Sequence, residues 1–382
     1  MKNRILIVYH CSARTGYAIE TLEGVFWEMA VNFTGGNFSD IFLAYRSYPH
    51  GYPLYTPAGF ENFYTFYFRE NDRQKLNTFA EFIRKNRINV IFGFDHPPSL
   101  PYYRYARKAG VRKIVSYWGA PMSSINSGLK LWLKKMEIAL YRWSPDVYIF
   151  ESEAMRQSAY KGRGVSENRA VLCHLGVDTQ KYKPDPCDRY YAHDLFGIAR
   201  DQKLIFYSGH FEARKGVAVI AKAANILSGQ RNDLSFVLFG NQPGQEAPYA
   251  SILTDGARKK VVFGGYRKDL NRVHRSCYAG VIASTGWDSF TVSSLEIQAS
   301  GLPLVVSDLP GLRESVIDGH TGFVFPAGDF RRLAGLLGDL ADFPQKQQIH
   351  AKAARSCAKT KYSLDSQRSR LTNILQLQIA AG

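Results

Sequence analysis

Short runs of isoleucine, valine, leucine and phenylalanine recur along the chain, and the segments between them carry apolar positions at a helical period. Continuous apolar runs suit strands buried on both faces, which alternate with helices in doubly wound parallel sheets. In the first half the pattern predicts strands at Ile5 to Tyr9, Val90 to Phe94, Lys113 to Trp118, Asp146 to Glu151 and Ala170 to His174. Helices such as Ala18 to Val31 and Ala80 to Arg87 lie between them. Tyr45 to Phe68 interrupts the alternation with ten Tyr or Phe residues among prolines and glycines, and reads as packed loop plus strand.

The alternation pauses at Lys181-Tyr182-Lys183-Pro184-Asp185-Pro186, a polar, proline-marked stretch suited to a domain boundary. A second series follows, with strands predicted at Lys203 to Ser208, Leu234 to Phe239, Val261 to Phe263, Gly280 to Ala283, Leu304 to Ser307 and Gly322 to Phe325. The fold class is therefore α/β: two facing, Rossmann-like doubly wound domains, at residues 1–180 and 181–360, with a helix at 361–382 packing back toward the first. Ligands sit at the carboxyl ends of strands in such sheets, so the loops after these strands should line a cleft between the domains.

Composition alters this picture in two places. The apolar run after Met1 to Arg4 is too short for a secretory core, no spanning segment is evident, and Cys11, Cys173, Cys187, Cys277 and Cys357 lack zinc-ligand or C-x-x-C spacing. These features predict a cytoplasmic chain with reduced thiols. The net charge of +16 is concentrated: residues 84–169 hold 16 Lys/Arg against 6 Asp/Glu. An anionic membrane surface or phosphorylated substrate would be drawn to it; nucleic acid is disfavoured, since no helix-turn-helix, finger or ribonucleoprotein signature accompanies the charge. Within this region Leu129-Lys130-Leu131-Trp132-Leu133-Lys134-Lys135-Met136 reads either as an interfacial helix or as a buried one whose lysines reach solvent.

Candidate chemistry collects in the second half. Asp288 and Glu296 are separated by seven residues, and a helix opening near Thr291 would aim free backbone N–H groups at a phosphate. Carboxylates are acceptor-only groups that suit sugar hydroxyls. Lys215 closes the loop Gly209-His210-Phe211-Glu212-Ala213-Arg214-Lys215-Gly216 between a strand and a helix. His96, after the strand ending at Phe94, is either a candidate to serve the cleft, on what the resemblance below makes the acceptor side, or a structural histidine.

The run from Asp288 through Glu296 to Ser300-Gly301-Leu302-Pro303, continued by Leu309 to Pro326, resembles retaining glycosyltransferases of family 4. Similarity is strongest over residues 146–330. The resemblance implies a GT-B fold and retaining transfer of a hexose or related sugar from a nucleotide diphosphate sugar co-substrate to a glycan or lipid-linked acceptor. It places the work in cell-surface polysaccharide, lipopolysaccharide or glycolipid biosynthesis, with a peripheral location at the inner face of the cytoplasmic membrane. Glu296 would hold the ribose and Asp288 the donor sugar. Backbone amides of Phe290 and Thr291 would approach sugar or phosphate, Lys215 with Arg214 or His210 would neutralise the diphosphate, and Tyr266 lies in a base-contacting loop. Gly209 opens the diphosphate loop, and Gly16 stands in the first glycine-bearing loop. The departing phosphate would help take the acceptor proton on the same face. No tightly bound cofactor or metal is expected, since no Asp-x-Asp occurs and Lys215 supplies the charge. Three positions depart from the family pattern: Asp288 replaces Glu, His210 replaces Arg, and Trp118 stands where a histidine is common, leaving it a candidate on the acceptor side. These departures keep two alternatives open, a catalytically silent sugar-nucleotide binder and a GT-B phosphorylase or epimerase.

Overall fold

The computed structural model describes residues 2–240 and 242–380. It divides into two compact units: one runs to His174 and resumes at Gln367, and the other spans Leu175–Ser366.

The first unit contains β1 (Ile5–Val8), α1 (Tyr17–Phe33), β2 (Ile41–Tyr45), β3 (Phe63–Thr65), α2 (Arg73–Lys85), β4 (Val90–Phe94), α3 (Pro101–Lys108), β5 (Lys113–Trp118), α4 (Gly128–Leu140), β6 (Val147–Phe150) and β7 (Ala170–Leu172). The sheet order is β3-β2-β1-β4-β5-β6-β7, every pair parallel, with Ile5 opposite both Ile41 and Val90. All four side chains of β1 are shut from water, as covering on both faces requires. Helix α2 starts where the Asp72 carboxylate accepts the Lys75 amide at 2.9 Å, and it buries Leu76, Phe79, Ala80 and Ile83, one stripe at helical spacing. Phe79 stacks on Phe66 with ring centroids 3.9 Å apart, and each such burial contributes about 1.5–3 kcal/mol.

One element was missed by the sequence pattern, and another that it left open is decided by the structure. Ile41–Tyr45 is a fully buried strand that the periodicity passed over, because the aromatic stretch after it masks its end. The tyrosines of that stretch pack back on the sheet: the Tyr45 and Tyr55 hydroxyls meet at 2.6 Å and the Tyr9 ring stacks on Tyr45 at 4.3 Å. Helix α4 is not buried. Its inner side rests on Gly164, at φ 85°, where a Cβ would stand 2.6 Å from the Lys134 main chain, so backbone fills the contact that apolar side chains would otherwise take. Ile138 is the buried apolar residue of this helix.

The second unit contains β8 (Lys203–Ser208), α5 (Val217–Gln230), β9 (Leu234–Phe239), β10 (Val261–Phe263), β11 (Cys277–Ile282), α6 (Val292–Ala299), β12 (Leu304–Ser307) and β13 (Gly322–Phe325), with sheet order β10-β9-β8-β11-β12-β13. Apolar clusters cover both sheet faces, one around Val217, Ile220 and Leu337, the other around Phe206, Ile297 and Leu312. The last helix, α7 (Leu364–Ala380), contributes its residues from Gln367 onward to the first unit, where Arg370 donates to the Leu172 carbonyl at 2.7 Å. Among the described residues no helix is long and apolar enough to cross a membrane.

Candidate functional site

Within the second unit the loops leaving β8 and β11 are tied together. Gly216, at φ 70°, ends the β8 loop with its Cα so close to β11 that a Cβ would lie 1.7 Å from the Ala283 carbonyl oxygen. The Arg214 carbonyl accepts the amides of Thr285 at 2.7 Å and Gly286 at 3.2 Å. This clamp seats Lys215 beside Asp288, with Nζ 3.0 and 2.9 Å from the two carboxylate oxygens. The Ser284 hydroxyl donates to Asp288 Oδ2 at 2.6 Å and the Ser289 amide to Oδ1 at 3.1 Å. Asp288 is nearly buried, so these four contacts offset the loss of its hydration.

Helix α6 opens directly after this carboxylate. Thr291 caps it, its hydroxyl accepting the Ser294 amide at 3.2 Å. The first turn therefore directs its remaining N–H groups toward the end of the sheet where Lys215 sits, a setting suited to an anion. Phe290 is buried, its ring against Tyr362, and Glu296 is buried one turn further along α6. Arg214 faces the same loop, donating to the Trp287 carbonyl at 2.9 Å and pairing with Glu212 at 2.8 Å. Gly209 packs over the Tyr207 ring, the His210 side chain is exposed on the loop, and Tyr266 is exposed beyond β10. Lys215 and Asp288 are thus in direct contact, Thr291 follows three residues on as the cap of α6, and Arg214 is tied to the same loop through the Trp287 carbonyl. Ser284 and Ser289, which each donate to one oxygen of Asp288, were not singled out by sequence reasoning; a serine at a strand end carries no distinguishing pattern.

In the first unit, Gly16 precedes α1 at φ 144° and Trp118 ends β5 half-buried, with its indole N–H buried and without a partner among the described residues. His96 is a core residue of this unit, as the structural reading of it expected, and presents no surface to a ligand. It is wholly buried, bonds Tyr102 at 2.8 Å and stacks on Phe68 at 4.7 Å, and burial holds its pKa down to about 3. Unforeseen neighbours at the carboxyl ends of this sheet are Asp95, at φ 56° with its carboxylate accepting the Gly119 amide at 2.9 Å, and His10, 3.7 Å from Asp95. Glu151 accepts from the Tyr117 hydroxyl at 3.0 Å, and burial pushes its pKa up to about 8.

Residues 193–356 match the family model described as glycosyl transferases group 1, and residues 40–181 match glycosyltransferase family 4. The chain belongs to family 4 of the glycosyltransferases. This family 4 chain is 28% identical over 284 residues to the GDP-mannose-dependent alpha-(1-6)-phosphatidylinositol monomannoside mannosyltransferase of Mycolicibacterium smegmatis, covering 71% of this chain and 72% of that protein. It is 24% identical to the lipopolysaccharide core biosynthesis mannosyltransferase LpsB of Rhizobium meliloti, over 50% of this chain and 55% of that one. Several curated relatives are thus matched over about half of their length. A glycosyltransferase from Rickettsia africae superposes with a TM-score of 0.81 at 15% identity, over 99% of both chains. Anabaena HepE in complex with UDP gives 0.74 at 16% identity, over 98% of this chain and 99% of that one. The family 4 chain has the GT-B fold of these structures.

Proposed function

We propose that the protein transfers a hexose or related sugar from a nucleotide diphosphate sugar, with retention of configuration, to a glycan or lipid-linked acceptor. The acceptor belongs to cell-surface polysaccharide or glycolipid biosynthesis, and the protein works at the inner face of the cytoplasmic membrane. The observation that carries this reading is the Lys215 ammonium held between the β8 loop and Asp288 just ahead of α6. An incoming diphosphate shares that ammonium, which frees Asp288 to accept hydroxyls of the donor sugar. Cleavage of the sugar–phosphate bond builds negative charge on the leaving diphosphate, and Lys215, Arg214 and the amides of α6 are fixed donors for it. Glu296 holds the ribose, and the departing phosphate takes the acceptor proton. Lys215 supplies the charge that a divalent ion supplies elsewhere, so turnover proceeds without one. The relatives' names support the substrate class: two use or build mannosylated lipids or lipopolysaccharide.

A panel of nucleotide diphosphate sugars tests this. A donor at 100 times its dissociation constant raises stability by about 2.7 kcal/mol, visible as a thermal shift. The stabilising donor is then incubated with glycan and lipid-linked acceptors in EDTA, and the anomeric configuration of the product is read by NMR. Retained product in EDTA is expected. An inverted product overturns retention, and activity restored only by a divalent ion overturns the metal-free clamp. Donor binding without product from any acceptor indicates a silent binder, and phosphate-driven release of sugar phosphate a phosphorylase.

A further inference from the structure

Helix α4 shows solvent an unpaired apolar stripe. Leu129, Trp132, Leu133, Met136 and Leu140 recur at helical spacing and are 48% to 80% exposed, and Ile125 extends the patch ahead of the helix. Exposed apolar area this concentrated marks an interaction surface. Lys130 and Lys135, both exposed, flank the stripe at helical spacing. The single carboxylate of the helix, Glu137, is taken by the Arg163 guanidinium through two contacts of 2.8 Å and by Lys134 at 3.2 Å. No uncompensated negative charge therefore accompanies the apolar face.

The carboxyl end of the same helix forms the wall of a cavity of about 1030 Å³. The cavity opens at the amino ends of the parallel strands: Lys113 begins β5, Asp146 precedes β6 and Arg169 precedes β7. This is the end of the sheet opposite the carboxyl ends where substrates of doubly wound sheets bind. Its two carboxylates are engaged, Asp146 by Arg107 at 2.6 Å and Glu167 by Arg156 at 3.4 Å. Lys113, Lys135 and Arg142 also line it, and none of them has a carboxylate within ion-pair distance among the described residues.

We infer that α4 lies in the surface of an anionic bilayer and that the adjoining cavity receives the phosphate of an anionic lipid headgroup through Lys113, Lys135 and Arg142. The occupant follows from charge: an apolar stripe alone would suit any hydrophobic partner, but one rimmed by lysines and continuous with a basic cavity suits acyl chains and phosphates arranged in a plane. A thirteen-residue helix is about 20 Å long, enough to lay the whole stripe in the headgroup boundary. The inference deepens the membrane side of the reading above by naming the element that docks.

The test is sedimentation of the full chain with phosphatidylcholine vesicles, with and without one-third phosphatidylglycerol, in the absence of any donor. Wild type should bind the anionic vesicles at least tenfold more tightly, less so at high salt. Lys135→Gln with Arg142→Gln should weaken binding by about 25-fold, roughly fivefold per cation. Leu129→Ser with Trp132→Ser and Leu133→Ser should abolish it. All these positions are exposed, and circular dichroism together with an unchanged thermal shift from the stabilising donor shows that the fold and the donor site persist. Equal binding to both vesicles, binding to neither, or indifference to the two cation replacements overturns the inference. Inorganic phosphate serves as the control for a soluble ligand: a phosphate thermal shift lost in the Lys135/Arg142 variant, without vesicle binding, also overturns it. Loss of donor binding in wild type would instead strike the proposed function and leave this result standing.

Discussion

Replacing Lys215 with methionine keeps most of the unbranched stem and removes the ammonium that lies 2.9 and 3.0 Å from the Asp288 oxygens. Two effects separate. The structural one is an orphaned carboxylate, 5% exposed, left with the Ser284 hydroxyl and the Ser289 amide. Removing one partner of a buried pair costs about 3–5 kcal/mol. Lys215 is itself 17% exposed and two donors remain, so the expected loss falls below that range, about 2–3 kcal/mol in urea unfolding. Asp288→Asn removes the orphaned charge, and the double variant should recover about 1–2 kcal/mol of that loss. The functional effect is the missing counter-charge for the diphosphate, on the order of 100-fold in turnover. Calorimetric titration with a nucleoside diphosphate and its monophosphate, using the base of the stabilising donor, tells them apart. If Lys215 clamps the diphosphate, Lys215→Met weakens the diphosphate selectively and Asp288→Asn does not restore it. Equal weakening of both nucleotides, or recovery of diphosphate affinity in the double variant, would refute the clamp and leave Lys215 as a partner for Asp288 alone.

Gly216→Ala combines a left-handed φ with a Cβ 1.7 Å from a main-chain oxygen, and should cost at least about 3 kcal/mol by urea unfolding; a loss under 1 kcal/mol contradicts the loop packing. Glu296→Ala should lower donor affinity measured by calorimetry, and unchanged affinity removes it from the ribose site. Glu151 has a pKa raised from 4.5 to about 8, so between those values the folded chain keeps a proton that the unfolded chain has released, and its contribution to stability is lost as pH rises through that window. Glu151→Gln, which mimics the protonated group, should match wild type near pH 5 and be the more stable near pH 8; parallel pH profiles would show that Glu151 ionises normally.

The alternation of apolar runs placed five of the six strands of the second unit to the residue, because a strand covered on both faces must be apolar throughout; β11 begins at Cys277 and not at Gly280, since its first residues are only partly buried and carry no apolar run. The loop and helix from Asp288 to Glu296 were legible for a related reason: a cap, a carboxylate and a glycine stop recur at spacings that local geometry dictates. Strand β2 was hidden, since Ile41–Tyr45 runs into an aromatic stretch whose role depends on packing against Tyr9 and α1, partners distant in sequence. His96 illustrates the same limit, since a histidine after a strand has the same local sequence whether it faces solvent or stacks beneath Phe68. The contact between Lys215 and Asp288 joins residues 73 positions apart and exists because Gly216 lets the β8 loop press on β11. For α4 the sequence supplied the mixture of leucine, tryptophan and lysine, but its outward turn was decided by Gly164 meeting the helix backbone. Local order is set by residues a few positions apart, whereas which face is dry and which charges meet are set by neighbours that only the folded chain brings together.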